Sequence, residues 1–206
     1  MNIILHPTYF PNIAHFTAML KAGEVVLEMH DNYQKQTYRN RTFIYGANGK
    51  LQLSVPIIYS QKERQQYQDI KIHNTEKWQM LHWKSLESAY KTSPFFEFYE
   101  DELLPLFTEK AENLLNFNLK CFKTILECLQ LDLNTLETKS FQKEITDKTD
   151  FRYLVNSRKE PHFNFEQYTQ VFGEKHGFIG NLSILDLLFN EGPNALNYLE
   201  NQFKHL

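Results

Sequence analysis

The chain has 206 residues and a formal net charge of −3, with 42% apolar, 15% aromatic and 23% charged residues. That balance excludes disorder, because there is ample apolar surface to bury, and the length suits one hydrophobic core, so a single domain over 1–206 is expected. A slightly acidic chain lacks the basic footprint that neutralises a phosphate backbone, which argues against a nucleic-acid partner.

Asn2 to Leu5 is a short apolar run ended by His6-Pro7, where proline and the restricted residue before it stop a strand. Apolar residues at 13, 16, 19 and 20 follow helical spacing, and Gly23 leads into a second strand over Glu24 to Met29. Parallel pairing of the two strands through a right-handed crossover puts their carboxyl ends side by side. That edge is where open α/β sheets bind ligands, and His6 and His30 would both stand on it. Asn48-Gly49 predicts a tight type I′ hairpin turn. Pairing across it sets Thr42 and Ile44 on one face with Leu51, Leu53 and Val55, and Phe43, Tyr45, Gln52 and Ser54 on the other.

The polar stretch Tyr59 to Asp69, with Lys62, Glu63 and Arg64 in its middle, reads as an exposed loop. Glu76 to Tyr90 reads as a helix with Thr75 as N-cap and Trp78, Leu81, Ser85 and Ala89 on one stripe, His82 beside it. The longest helix is expected from about Glu102 to Leu129, Pro105 in its first turn, burying Phe107, Ala111, Leu114, Cys121, Phe122, Ile125 and Leu129. Asn118 interrupts that face and requires a polar partner. A short strand near Leu133 to Leu136 and a long connection follow. Ser183 with Asp186 forms a capping box for a helix stopped by Gly192-Pro193, beyond which a last helix begins. The fold class expected is α/β: an N-terminal βαβ unit with a β-hairpin, followed by a mainly helical C-terminal half.

Cys121 and Cys128 fall two helical turns apart, too far for a disulfide, and read as buried core residues; no metal site is expected. The N-terminal run has no basic leader and no stretch approaches a membrane span, so the expectation is a cytoplasmic chain without membrane insertion. No Gly-rich phosphate loop, GxSxG elbow, HExxH or CxxC pair occurs.

The densest chemistry follows the second strand. Tyr33, Lys35, Gln36, Tyr38, Arg39, Asn40 and Arg41 combine three cations with phenol and amide groups. Lys35 and Arg39 share a face whether the segment is extended or helical. Converging cations suit a small anionic substrate, arginine as a planar fork and lysine as a point charge. The competing reading is a solvated basic loop paired with Glu24, Glu28 or Asp31. His30, with Asp31 to orient it, is the candidate base and His6 the second, because imidazole moves protons near neutrality. His82 adds a candidate binding group beside Trp83.

These residues carry a family resemblance. Through the blocks His6–Pro11, Tyr33–Arg41, Asn48-Gly49, Leu53–Pro56, His82–Tyr90, Ser93–Phe96 and Asn181–Phe189 the chain resembles the WbqC-like family over nearly its whole length. The resemblance implies a transferase of a small acyl or aminoacyl group, glycine among them, in surface-polysaccharide biosynthesis, with an anionic substrate or nucleotide sugar as partner. It leaves the cofactor and the oligomeric state open. Two alternatives stand: a non-catalytic nucleotide or small-ligand binder, and a divergent nucleotidylyltransferase. The second rests on the likeness of Thr8–His15 to a strand–turn–helix with a late histidine, here without the glycine before it.

Overall fold

The structure is a computed structural model that describes residues 1–60 and 63–206. Strand β1 (Asn2–Leu5), helix α1 (Ile13–Leu20) and strand β2 (Glu24–Leu27) form the expected βαβ unit, β1 pairing in parallel with β2 from Asn2 opposite Glu24 to Leu5 opposite Leu27. Asn12 caps α1 by accepting the His15 backbone N–H at 3.1 Å. The alternation of the strands sends Ile3, Leu5, Val25 and Leu27 into the main core, while Ile4 and Val26 face the segment 138–148.

The hairpin consists of β3 (Arg41–Gly46) and β4 (Gly49–Ser54), with Thr42 opposite Leu53 and Ile44 opposite Leu51, the register expected. Its turn differs from expectation. Gly49 alone has positive φ, at 99°, whereas a type I′ turn needs positive φ at both central residues, here Ala47 and Asn48. Two short strands follow, β5 (Ile57–Ile58) and β6 (Lys71–Ile72). Between them Tyr67, in a 3₁₀ turn, is fully buried, so the stretch read as an exposed loop ends in the core; Lys62 lies outside the described residues.

Helix α2 (Trp78–Tyr90) buries Trp78, His82, Leu86, Ala89 and Tyr90, not the stripe through Leu81 and Ser85. Its N-cap is Lys77, and Thr75 plays no capping role. The single long helix expected from Glu102 is broken. Helix α3 (Phe96–Leu103), the turn α4 (Pro105–Thr108) and helix α5 (Leu114–Cys128) replace it, because Pro105 starts a fresh turn and the Asn113 side chain caps α5 at Asn116. Asn118 is buried within α5, and its amide donates to the Arg39 carbonyl at 2.6 Å and to the Tyr67 hydroxyl.

Strand β7 (Thr135–Glu137) realises the short strand expected near Leu133 to Leu136 and pairs in parallel with β2. The long connection after it contains a further element, β8 (Thr149–Asp150), which pairs in parallel with β1 and leads into a 3₁₀ turn over Arg152–Val155. The sheet order is therefore β7-β2-β1-β8. The chain builds outward from β1 on one side, then crosses over to set β8 on the other, so strand order reverses between β1 and β8. After a short turn α6 (Gly173–His176), helices α7 (Ile184–Glu191) and α8 (Ala195–Gln202) close the chain. Ser183 caps α7 at Leu185, but Asp186 turns inward, accepting from Tyr90 and Gln170 at 2.7 and 2.9 Å, which leaves the capping box half made. Among the described residues no helix is long and apolar enough to cross a membrane.

Candidate functional site

Open parallel sheets bind ligands beyond the carboxyl ends of the strands where the order reverses. At that point a cavity of about 330 Å³ opens, lined by His6 after β1, Asp31 after β2, Asp150 and Arg152 around the end of β8, and Arg39. Arg39 reaches it on a strip of irregular backbone threaded through the interior: Tyr9 donates to the Tyr38 carbonyl at 2.9 Å and Tyr38 to the Val155 carbonyl at 2.8 Å. Those bonds, with Asn118 on the Arg39 carbonyl, hold a segment that has no ladder of its own.

One carboxylate organises the centre. Asp31 Oδ2 accepts from His6 Nε2 at 2.9 Å and from Arg39 Nη2 at 2.7 Å. Because a carboxylate only accepts, Nε2 carries the proton and His6 Nδ1 is left as a bare acceptor. That Nδ1, together with Arg39 Nε and Nη1, is buried without a hydrogen-bonding partner. Unmade bonds of this kind cost about 1–3 kcal/mol each, more for charged groups, so a polar group entering this cavity would find three buried atoms to bond. The Arg39 guanidinium is fully buried and lies over the Tyr67 ring, 5.4 Å from its centroid.

Burial, and then the Arg39 charge, push the His6 ring down to about 4, against the raising effect of Asp31. For Asp31 burial acts upward, but the His6 hydrogen bond and the Arg39 charge outweigh it and hold the carboxyl below its ordinary range. Arg152 forms a fork with Asp150, Nε to Oδ1 at 2.9 Å and Nη2 to Oδ2 at 2.7 Å, and its remaining N–H groups hold the carbonyls of Gln142 and Lys143. Fully buried Glu28 lies behind it, Oε2 at 3.9 Å from Arg152 Nη1. Among the described residues no group of three or more His, Cys, Asp or Glu is placed to hold a metal.

The residues singled out by sequence separate in space. His6 and Arg39 meet in this cavity. Tyr33 and Lys35 line a wider one of about 850 Å³ beside it, which shares Asp31, Gln34 and Phe141 with the first. His30 is half-buried and donates its backbone N–H to Glu28 Oε1 at 2.8 Å; its ring lines neither cavity. Gln36 sits at the surface at φ 59°, its carbonyl accepting from the Ser157 hydroxyl. Tyr38 donates to the Glu160 carboxylate, and Asn40 to the Val55 carbonyl at 3.0 Å. Arg41 is the half-buried first residue of β3. His82 packs in the core, Nδ1 at 2.9 Å from the Tyr9 hydroxyl. Sequence reasoning missed Asp150 and Arg152, whose one local signal is an acid and a base two residues apart inside a charged stretch.

Comparison with known proteins places these residues in a wider set. A family model described as the WbqC-like protein family matches residues 6–160, a range that contains His6, Asp31, Arg39, Asp150 and Arg152. The chain is also 27% identical, over 95% of its own length and 96% of the relative's, to the uncharacterised protein Rv1507c of Mycobacterium tuberculosis. No solved structure matches it.

Proposed function

From the premise that the chain belongs to the WbqC-like protein family, we propose that the His6–Asp31–Arg39 cavity is the active centre of a transferase. It moves a small acyl or aminoacyl group, glycyl among them, from an anionic or nucleotide-linked donor to an amine or hydroxyl acceptor in surface-polysaccharide assembly. The observation that carries this reading is the conjunction of a carboxylate-oriented histidine and a fully buried arginine with two unpartnered guanidinium nitrogens at the sheet's reversal point.

In this reading Arg39 anchors the anionic part of the donor and Asp31 fixes the His6 tautomer. As the acceptor nitrogen or oxygen bonds to the acyl carbon, its proton passes to His6 Nδ1. The bond from carbon to the leaving group then breaks, and the leaving group departs with the electron pair and takes the proton back from His6. Burial is the larger cause of the depressed His6 ring and the Arg39 charge the second; an anion seated on Arg39 offsets that charge and so raises the basicity of the ring.

The test joins a thermal-shift screen against nucleotides, acyl-CoAs and nucleotide sugars with a turnover assay of the stabilising compounds. Expected are acceptor-dependent transfer, a drop in kcat of about 10²–10⁴-fold in His6→Asn, and a raised KM for the anionic donor in Arg39→Lys. A folded His6→Asn protein that transfers at the parental rate would sink the assignment of the base. Stabilisation without turnover of any donor would assign the cavity to ligand binding alone.

A further inference from the structure

We propose that the wider cavity beside the active centre seats a nucleoside diphosphate, the leaving portion of an acyl donor joined through its terminal phosphate; the acyl carbon lies at His6 and Arg39, and its bond to the phosphate oxygen breaks as the acceptor bonds. This rests on the transferase reading of the inner cavity and names the donor class that reading leaves open.

Charge is the first argument. Lys35, Arg64 and Lys143 line the cavity, and among the described residues none of them pairs with a carboxylate. The cavity's own acid, Asp31, is committed to His6 and Arg39. Three cations without a carboxylate partner, lining one cavity of a chain of net charge −3, suit a group with several negative charges, and one carboxylate would leave most of them unanswered.

Placement is the second. The cations come from three separate segments, each tied near its cation. Lys35 lies over the Tyr59 ring, 4.8 Å from its centroid; Tyr33 donates to the Gln65 carbonyl at 2.8 Å, beside Arg64; and Arg152 holds the Lys143 carbonyl at 3.0 Å. Arg152 thus belongs to the inner cavity by its fork with Asp150 and sets a cation of the outer one.

Aromatic walls are the third. Tyr59 lines the outer cavity and Phe141, 45% exposed, lines both, with the Arg152 guanidinium 5.5 Å from the Phe141 ring. Phe141 is the exposed ring of the two, and an exposed ring beside a cation is a surface on which a base stacks; Tyr59 is half-buried with Lys35 over it. The volume of about 850 Å³ lies in the range of about 300–1,000 Å³ typical of small-molecule sites.

The experiment is calorimetric titration of the full chain with UDP, ADP, GDP and CDP, and separately with inorganic pyrophosphate. The proteins are the parent, a triple variant Lys35→Ala/Arg64→Ala/Lys143→Ala, Phe141→Ala and Arg39→Lys. The triple variant changes exposed side chains only, and thermal unfolding verifies its fold. At least one nucleoside diphosphate is expected to bind the parent, weakening about a hundredfold in the triple variant as charge-assisted bonds are lost. Phe141→Ala should weaken the nucleotide and leave pyrophosphate unchanged, and Arg39→Lys should weaken the nucleotide far less than the triple variant does. No binding by the parent, or parental affinity in the triple variant, overturns the proposal. If Arg39→Lys loses the nucleotide while the triple variant keeps it, the nucleotide belongs to the inner cavity; the outer seat is then wrong, and the transferase reading is judged separately through His6→Asn.

Discussion

Three histidines are buried with depressed basicity: His6 and His82 fall to about 4 and His15 to about 3, burial being the largest cause in each. The unfolded rings titrate near 6.5, so between that value and about 4 the unfolded chain takes up protons that the folded chain refuses. Their contribution to stability is therefore whole above pH 6.5 and is lost as pH falls, on the order of 3 kcal/mol per ring once the folded-state value is passed. Asp31, held below its ordinary range, adds a loss only at lower pH still. Urea midpoints measured from pH 7.5 to 4.5 should fall steadily, and less steeply in His82→Gln; a flat profile would contradict this account. At this scale sequence reached residue types and one partner: the competing reading of the strip offered Asp31 to its cations, and Arg39 takes it. The joining of His6 to the same carboxylate and the bare Nδ1 of His6 depend on side chains that only the folded chain brings together.

At the scale of elements, periodicity and caps located β1, α1, the hairpin and α7, because each is decided by neighbours within a few residues. It failed where two local signals competed. In the run from Glu102 the apolar spacing continues across Pro105 and Asn113, yet the proline's missing N–H and the asparagine's capping carbonyl divide it into separate helices. In α2 the stripe through Leu81 loses to one through His82 and Leu86, since the face that packs is chosen by the partners it meets. The junction of α7 and α8 makes a sharper prediction. Gly192 has φ 50°, and a Cβ there would lie 2.6 Å from the Phe95 ring. Gly192→Ala should cost about 1–3 kcal/mol from overpacking, with about 1 kcal/mol more for the left-handed backbone. Thermal unfolding should show a lowered Tm with helical circular dichroism retained; an unchanged Tm would refute the contact.

The whole molecule is organised by a parallel sheet whose central strands β1 and β2 are covered by the core, while its outer strands are two and three residues long. Local opening should follow that gradient. Hydrogen exchange is expected to be slowest at the Glu28 amide, which donates to the Leu5 carbonyl between the two central strands, and fast across 139–148; uniform protection over both would argue against the layout. By itself the sequence determined the α/β class, the βαβ start and the hairpin register, and it singled out the strip His30–Arg41 as candidate chemistry, because these rest on periodicity, turn residues and charge within short windows. Tertiary structure alone decided which members of that strip share a cavity. It kept Arg39, joined it to His6, Asp31 and Arg152 at the reversal between β1 and β8, and turned Tyr38, Asn40 and His82 to other partners. The physical reason is that β8 is a two-residue strand with no periodicity to read, and its pairing with β1 closes contacts across more than a hundred residues of chain.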